Sequence, residues 1–241
     1  SDVCSSDLLN GKEVSDKLYN LLGTNNDYAK LVVFTVGNDP ASKVYVRNKQ
    51  RACERVGISF ENIIVDENIS DIDFEKLIED VLYKYLFSLD TLYSHLGMIL
   101  QLPAPQHLVE IFNNSENVPP MIDVDGFGNE NFARIMCNEK DPYILPATPK
   151  GIMTLLNNYN IDVEGKHVVI IGRSNIVGKP LAQMMLRKNA TVTVGHSKTQ
   201  NFKKITNTTF LENAKIVNFN WGQSVVNNVF CSSYVYIVLM V

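Results

Sequence analysis

The sequence contains no apolar run of about 18 or more residues, so no segment is long enough to cross a bilayer as a helix. It also contains no block of lysine and arginine, and its 22 basic and 26 acidic residues leave a formal net charge of −4. Because nucleic acids and anionic membranes are bound through basic surfaces, neither is expected as a main partner. We expect a cytoplasmic protein.

Cysteine is scarce and poorly placed for cross-linking. The four cysteines are far apart in the sequence and form no CxxC pair: Cys4, Cys53, Cys137 and Cys231. Since a disulfide framework or a zinc site needs a denser cysteine pattern, we expect four reduced thiols. The 241 residues, 45% hydrophobic and 20% charged, suffice for one large domain or two modest ones.

Both ends of the chain differ in composition from the rest. Residues 1–7 lack the basic and apolar segments of a signal peptide, and we interpret them as a tag, a scar or a misread leader. From Ile216 to Val241 there is no Asp, Glu, Lys or Arg, and the chain ends in the apolar run Tyr234–Val241. This run could be a buried parallel strand. The composition indicates a truncation or a shifted reading frame near the C-terminus.

Between these ends, strand-like and helical patterns alternate. Short β-branched or apolar runs predict strands at residues 31–36, 58–65, 97–102, 167–171 and 191–195. Helices are predicted to begin at the N-caps Ser42, Ser70 (in a capping box with Asp73) and Thr148, and to cover residues 177–189. The alternation predicts α/β layers with a mostly parallel sheet in each half.

The second half contains a strand that runs into a glycine-bounded loop and a helix. Gly172 would permit a tight turn, and backbone amides with the helix N-terminus would form a phosphate cradle. The spacing departs from G-x-G-x-x-G, because Ser174 occupies the place of the second glycine and Gly178 comes one residue late. The alternative is an ordinary strand–turn–helix whose glycines serve packing.

The end of the next strand reads His196-Ser197-Lys198-Thr199. NAD-binding folds usually carry a carboxylate near this place for the ribose 2′-hydroxyl. A cation and hydroxyls suit a 2′-phosphate instead, so NADP is favoured over NAD, and Arg173 could add a second cation. The alternative is a solvated turn with a chance lysine.

The first half supplies candidate catalytic groups. Tyr45 and Lys49 are four residues apart and share one helix face, and Gln101 ends a predicted strand, where α/β sheets place ligand groups. Asp123 and Asp125 bracket a turn and could bind a polar heterocycle or a metal, or merely form Asx-turns. No histidine lies nearby in sequence to complete a metal set, so we expect no metal.

Five ordered segments resemble the bifunctional methylenetetrahydrofolate dehydrogenase/methenyltetrahydrofolate cyclohydrolase family (FolD type). They are VGNDPASKVYVRNK (36–49), GMILQLP (97–103), DVDGF (123–127), PATPKG (146–151) and GRSNIVGKP (172–180). The resemblance extends from about Leu9 to Asn201. It implies NADP-dependent oxidation of 5,10-methylenetetrahydrofolate and hydrolysis of the methenyl product to 10-formyltetrahydrofolate.

The resemblance also implies an architecture and residue roles. It implies an α/β catalytic, folate-binding domain (8–145), a Rossmann-like NADP-binding domain (146–241), a folate cleft between them and a homodimer. Lys49 is similar to the catalytic lysine, Tyr45 to the tyrosine lining the folate ring system, Gln101 to the partner of the lysine and Asp123 to the carboxylate on the pterin edge. The implied cofactor-binding residues are Gly172, Arg173, Ser174, Ile176, Gly178, His196, Ser197 and Lys198.

The chain departs from the family pattern at several places. Ile122 stands where the family usually has lysine, one extra residue lies around His95–Gly97, and the resemblance fades after Asn201. The Rossmann domain is therefore expected to be incomplete or altered beyond about residue 201. Two alternatives stay open: a non-catalytic relic that binds NADP or folate weakly, and another NADP-dependent dehydrogenase sharing only the Rossmann half.

Overall fold

The computed structural model describes residues 9–87, 95–137 and 144–200 and the backbone of two further strands, 215–220 and 234–240. Contacts divide the chain into two compact units, one of Ser15–Arg134 and Asp141–Leu145, the other of Ser1–Val14, Ile135–Lys140 and Pro146–Val241. The expectation made for residues 1–7 lies outside the described residues.

From residue 29 to residue 195, at least one helix separates each strand from the next, as the sequence predicts. In chain order they are α1 (Gly11–Leu22), β1 (Ala29–Val36), α2 (Pro40–Val56), β2 (Ser59–Val65), α3 (Asp71–Leu82, continued by a π-helical turn, Tyr83–Phe87), β3 (His95–Gln101), α4 (Gln106–Asn113), α5 (Asn129–Met136), α6 (Ala147–Asn158), β4 (His167–Ile171), α7 (Gly178–Leu186), β5 (Thr191–Gly195), β6 (Lys215–Asn220) and β7 (Tyr234–Met240). No helix in these ranges is long and apolar enough to cross a membrane.

The sheet of the first unit is parallel, with strand order β2-β1-β3. Its central strand β1 is apolar on both faces because helices cover both. Val32 and Phe34 belong to the larger core cluster, which also contains Phe74 of α3 and Leu108 of α4. Val33 faces the other way, into a smaller cluster with residues of α2 and β3. Continuous apolar strands of this kind are typical of parallel sheets.

Helix α2 begins three residues earlier than the sequence pattern suggested. Asp39 is its N-cap, and the Asp39 carboxylate accepts a hydrogen bond of 2.7 Å from the Ser42 amide. Ser42 is therefore inside the first turn, and the expectation that it caps the helix was wrong. Pro40 fits at the first position because no intrahelical bond needs its missing N–H. Gly57 ends the helix in a left-handed conformation, φ 78°, as expected.

The other predicted helix starts had different outcomes. Ser70 caps α3 by accepting from the Asp73 amide at 3.2 Å, which confirms the predicted cap. Helix α6 instead begins at Ala147 after Pro146, so the expectation that Thr148 is its cap was wrong. Prolines fit anywhere in a first turn, whose amides need no intrahelical acceptor, and Pro149 therefore did not fix the start.

The second sheet is mixed, with strand order β5-β4-β7-β6. Strands β4 and β5 are parallel and have the predicted bounds. The apolar run at the C-terminus does form a strand, β7, but it pairs antiparallel with both β4 and β6. The expectation of a parallel strand was wrong because a continuous apolar run indicates burial and carries no information about direction.

Candidate active site

Lys49 lies at the centre of a polar cluster in the first unit. Its Nζ donates a hydrogen bond of 3.0 Å to Oε1 of Gln101 and lies 3.6 Å from Oδ2 of Asp125. The side chains of Lys49 and Asp125 are 25% and 20% exposed, so the pair is largely shielded but can still be reached from solvent. The structure thus brings together Lys49 and Gln101, both expected at the site, with Asp125, to which the family resemblance gave no role.

The Gln101 amide has a fixed orientation. Gln101 is buried at the carboxyl end of β3, and its Nε2 donates to the carbonyl of Leu102 at 2.9 Å. Because the nitrogen is engaged there, the amide oxygen faces Lys49. A carbonyl acceptor at this position directs one N–H of the ammonium group and leaves its remaining protons for Asp125 or a ligand.

Tyr45 lies one helical turn before Lys49 on α2 and is half-buried. Side chains four residues apart lie above one another on a helix, so the ring borders the lysine. The expected position beside Lys49 thus follows from the helix, and the ring can offer an apolar surface together with one hydroxyl.

The turn that carries the two aspartates is attached to the edge of β3. The Met98 amide donates to the Ile122 carbonyl at 2.7 Å, and the Val124 amide donates to the Met98 carbonyl at 3.3 Å. Gly97 makes this approach possible, because a Cβ there would lie 2.7 Å from Cγ1 of Val124. Ile122, the residue before Asp123, is 5% exposed and packs in the core.

Asp123, which was expected to bind the pterin, is engaged by its own turn. It is 3% exposed. Its Oδ1 accepts from the Gly126 amide at 3.0 Å, and its Oδ2 accepts from the Gly128 amide at 2.7 Å and from Asn131 Nδ2 at 3.2 Å. Of the two aspartates, Asp125 is the one whose carboxylate lies within 4 Å of Lys49 Nζ. The sequence contains a signal for this difference, since the first aspartate of a turn commonly accepts hydrogen bonds from the backbone amides that follow it.

The surroundings of Asp125 raise the pKa of its carboxyl group. Burial raises the pKa of Asp125 above its ordinary value, Lys49 opposes this shift, and the nearby Asp123 charge adds to it. A carboxyl group with a raised pKa close to a lysine is a common arrangement at sites that bind or protonate ligands. Among the described residues, no group of three or more His, Cys, Asp or Glu side chains could hold a metal ion.

In the second unit, the loop between β4 and α7 has the geometry of a phosphate cradle. Gly172 has φ 130°, a conformation that favours glycine. A Cβ on Gly178 would lie 2.3 Å from the Gly172 carbonyl oxygen, so the helix packs directly on the loop backbone. Within the described ranges, the amides of residues 173–176 have no protein acceptor. They are therefore available to an anion at the start of α7.

Ser174, in the place of the second glycine, stabilises this loop. Its Oγ accepts from the amides of Val177 and Gly178 at 3.2 and 3.4 Å. Gly172 thus provides the tight turn and Gly178 the close approach of the helix, while Ser174 accepts hydrogen bonds from the two amides where α7 begins.

The turn after β5 presents the expected cation. The His196 amide donates to Thr199 Oγ1 at 2.9 Å, and the Lys198 amide donates to His196 Nδ1 at 3.2 Å. These bonds fix the backbone of the turn, while the side chains of Ser197 and Lys198 are exposed. The Gly172 amide donates to the Gly195 carbonyl at 2.8 Å and so holds the two strand ends together. Two further residues that were expected to bind the cofactor lie on the loop between β4 and α7 and are exposed, Arg173 and Ile176.

A dinucleotide cradle in one α/β unit and a lysine–glutamine–aspartate cluster in the other define a two-domain, nucleotide-dependent enzyme. Residues 9–125 match the tetrahydrofolate dehydrogenase/cyclohydrolase catalytic domain, and residues 146–227 match the NAD(P)-binding domain of the same family. The chain belongs to the tetrahydrofolate dehydrogenase/cyclohydrolase family.

Two bacterial relatives agree with this membership. The chain is 41% identical over 212 residues to the bifunctional protein FolD of Streptococcus agalactiae, covering 83% of this chain and 70% of that protein. It is 47% identical over 177 residues to the FolD of Streptococcus thermophilus, covering 73% of this chain and 58% of that protein. The S. thermophilus match thus covers less than two thirds of that protein's length.

Solved structures show the same fold. The FolD dehydrogenase/cyclohydrolase of Campylobacter jejuni matches with a TM-score of 0.70 and 37% identity over 80% of this chain and 68% of that chain. The enzyme of Trypanosoma brucei, solved with NADP and an inhibitor, matches with a TM-score of 0.64 and 25% identity over 79% and 63%.

Proposed function

We propose that the protein oxidises 5,10-methylenetetrahydrofolate with NADP and hydrolyses the 5,10-methenyl product to 10-formyltetrahydrofolate. The observation that carries the proposal is the contact of Lys49 with both Gln101 and Asp125 in a chain of this family. This combination places a proton-carrying amine, a polar amide and a carboxyl group at the end of a parallel sheet, where such folds bind ligands.

Lys49 is assigned to the proton transfers of the hydrolysis. Water adds to the methenyl carbon, the bond from that carbon to N5 breaks, and the water oxygen becomes the formyl oxygen. Of the two protons that the water loses, one ends on N5 and one is released to solvent. An ammonium group held by Gln101 and Asp125 can exchange protons with the water and with N5 without moving away.

Asp125 is assigned to the pterin ring. A carboxyl group accepts hydrogen bonds from the ring N–H and amino groups of a pterin, and such charge-assisted pairs are strong and directional. We assign this role to Asp125 because the oxygens of Asp123 already accept three hydrogen bonds within the protein. Tyr45 would line the folate ring system from the helix turn before Lys49.

The cofactor would be held by the second unit. NADP, when bound, supplies the acceptor for the hydride. Its pyrophosphate fits the free amides between Gly172 and Gly178, where a side chain on either glycine would fill the cradle or strain the loop. The 2′-phosphate is assigned to the turn of Ser197 and Lys198. Further donors are His196, which precedes this turn, and Arg173, which follows Gly172 at the end of the neighbouring strand β4.

The experiment that tests the function is an absorbance assay for methenyltetrahydrofolate formation, run with NADP and NAD in parallel. Turnover with NADP supports the proposal, and turnover with NAD alone contradicts the assignment of the 2′-phosphate. A folded protein that binds NADP or folate without turning over either substrate would instead identify a non-catalytic relic.

Removal of the Lys198 charge should weaken NADP specifically. We expect Lys198→Ala to raise the KM for NADP by about tenfold or more, because one charge-assisted hydrogen bond contributes roughly 1.5–3 kcal/mol. The KM for NAD, which lacks the 2′-phosphate, should not change. The control is Lys188→Ala, which removes an exposed lysine just after α7. An equal loss for both cofactors would remove Lys198 from the 2′-phosphate site.

Asp125→Asn should change stability in a pH-dependent way. The folded protein holds a proton on Asp125 more tightly than the unfolded chain does, because burial raises its pKa. The stabilising contribution is fully present below the unfolded pKa and is lost as the pH rises through the folded pKa. The free energy of unfolding of the variant relative to the wild type should therefore increase from pH 4 to pH 7, as measured by urea unfolding. A pH-independent difference, equal to that of the exposed Asp27→Asn control, would contradict this.

We further propose the finer organisation that the family suggests. The protein would be a cytoplasmic homodimer of one-carbon metabolism that supplies purine biosynthesis, with domains at 8–145 and 146–241. Support comes from the family membership and from the start of the NAD(P)-binding match at residue 146. Sedimentation equilibrium should give twice the chain mass of 27.1 kDa, and a monomer mass at micromolar concentration would contradict the dimer.

A further inference from the structure

Asn131, near the start of α5, is a fully buried amide with every polar atom in use. It is 0% exposed. Its Nδ2 donates to the Pro120 carbonyl at 2.8 Å and to Asp123 Oδ2 at 3.2 Å, while its Oδ1 accepts from the Ile144 amide at 3.2 Å. An amide side chain with this many bonds in the interior holds fixed whatever it contacts, because breaking the set leaves buried groups unsatisfied.

Through Asp123, Asn131 holds the turn that carries both aspartates. Asp123 receives the Asn131 bond on the same oxygen that accepts from Gly128, and a Cβ on Gly128 would lie only 3.0 Å from that oxygen. The other oxygen accepts from Gly126, whose φ of 69° closes the turn. Asp125 projects from this turn toward Lys49. Its direction is therefore set by a backbone that Asp123 and Asn131 hold.

We propose that Asn131 is a positioning residue of the folate site, which holds the Asp123 turn so that Asp125 faces Lys49. The inference rests on the proposed function for its catalytic consequence. Asparagine suits the position because the contact with Asp123 needs a donor and the contact with Ile144 needs an acceptor. An aspartate lacks the donor and a leucine lacks both. The bond to Ile144 also fixes the backbone two residues before Pro146, where the NAD(P)-binding match begins.

The direct test is Asn131→Ala in the full chain. We expect kcat for methenyltetrahydrofolate hydrolysis to fall about 10–100-fold, the range typical of lost supporting contacts, with an unchanged Kd for NADP. The control is Asn26→Ala, which likewise removes two hydrogen bonds donated by a side-chain amide, in this case to the carbonyls of Leu22 and Val56. Asn26 precedes β1 and so lies at the opposite end of the sheet from Gln101. Wild-type kcat in Asn131→Ala would overturn the proposal.

Coupling to Asp125 separates positioning from a general loss of structure. If Asn131 acts through Asp125, the alanine change should lower kcat by less than about twofold in an Asp125→Asn background, because the group it positions is already gone. A merely structural role predicts the same fold-decrease in both backgrounds, and that result would overturn the proposal.

A reciprocal pair of substitutions tests the contact between Asn131 and Asp123 if Asn131→Ala does not fold. Asn131→Asp keeps the shape but opposes two carboxylates, and Asp123→Asn restores a donor between the two positions with its direction reversed. We expect the double variant to recover at least about tenfold in kcat over Asn131→Asp alone. A double variant no better than this single one would contradict the pairing.

Amide hydrogen exchange makes the test independent of turnover. In Asn131→Ala the amides of Gly126 and Gly128 should exchange at least about tenfold faster, while those of β1 keep their protection. An inactive wild type would refute the proposed function, yet the exchange of these two glycines would still decide whether Asn131 holds the turn. Unchanged exchange in a folded variant would overturn the inference.

Discussion

Lys49→Met should abolish most of the hydrolysis of methenyltetrahydrofolate. We expect kcat to fall by about 10²–10⁴, the usual contribution of a positioned acid–base group. Methionine keeps the length and the apolar stem of lysine, so packing on α2 is retained while the bond to Gln101 and the charge near Asp125 are lost. The measurement is the initial rate of absorbance loss of methenyltetrahydrofolate, corrected for the uncatalysed reaction.

The matched control for this variant lies on the same helix. Lys43→Met removes an exposed lysine of α2 and should leave kcat within about twofold of wild type, as is usual for surface changes. Thermal unfolding of both variants would show whether any loss of rate follows from unfolding. Near wild-type turnover in Lys49→Met, with the control unchanged, would refute the lysine assignment.

The folate site shows how far a sequence can locate a polar cluster. Lys49 and Gln101 could be placed together because one lies on a helix next to β1 and the other at the end of a parallel strand beside it. The choice between Asp123 and Asp125 depends on which carboxylate satisfies the backbone amides of the turn. Spacing does not contain that information, although the preference of turn-initial aspartates for their own backbone favours Asp125 as the free one.

The bounds of the helices and strands could likewise be predicted only in part. Strands β4 and β5 were predicted to the residue because a glycine or a polar turn bounds each apolar run. The starts of α2 and α6 were not. Asp39 and Ser42 are both residue types that cap helices, and the structure uses Asp39 for α2. Helix α6 begins after Pro146 without a side-chain cap, so no capping residue marks its start in the sequence. The direction of β7 likewise depends on which strand edge is open in the folded sheet, a property that no local pattern reports.

Gly178→Ala should separate the two activities. A methyl group at this position would lie 2.3 Å from the Gly172 carbonyl oxygen and 2.9 Å from Arg173 Cα. Both neighbours are backbone atoms, so no rotamer change can relieve the contact and α7 must move off the loop. Overpacking of this kind costs about 1–3 kcal/mol or more, and about 2.7 kcal/mol corresponds to a hundredfold in a binding constant.

We therefore expect the Kd for NADP, measured by calorimetry, to rise about a hundredfold in Gly178→Ala, while hydrolysis of methenyltetrahydrofolate, which consumes no NADP, continues. The control is Gly151→Ala, in helix α6 of the same unit, where a Cβ meets nothing within 4 Å. Alanine there should stabilise the helix by about 0.4–1 kcal/mol and leave NADP binding intact. Because both variants add one methyl group to the same unit, their difference isolates the close approach of α7 to the loop. Equal NADP affinity in the two variants would mean that the loop between β4 and α7 does not hold the pyrophosphate.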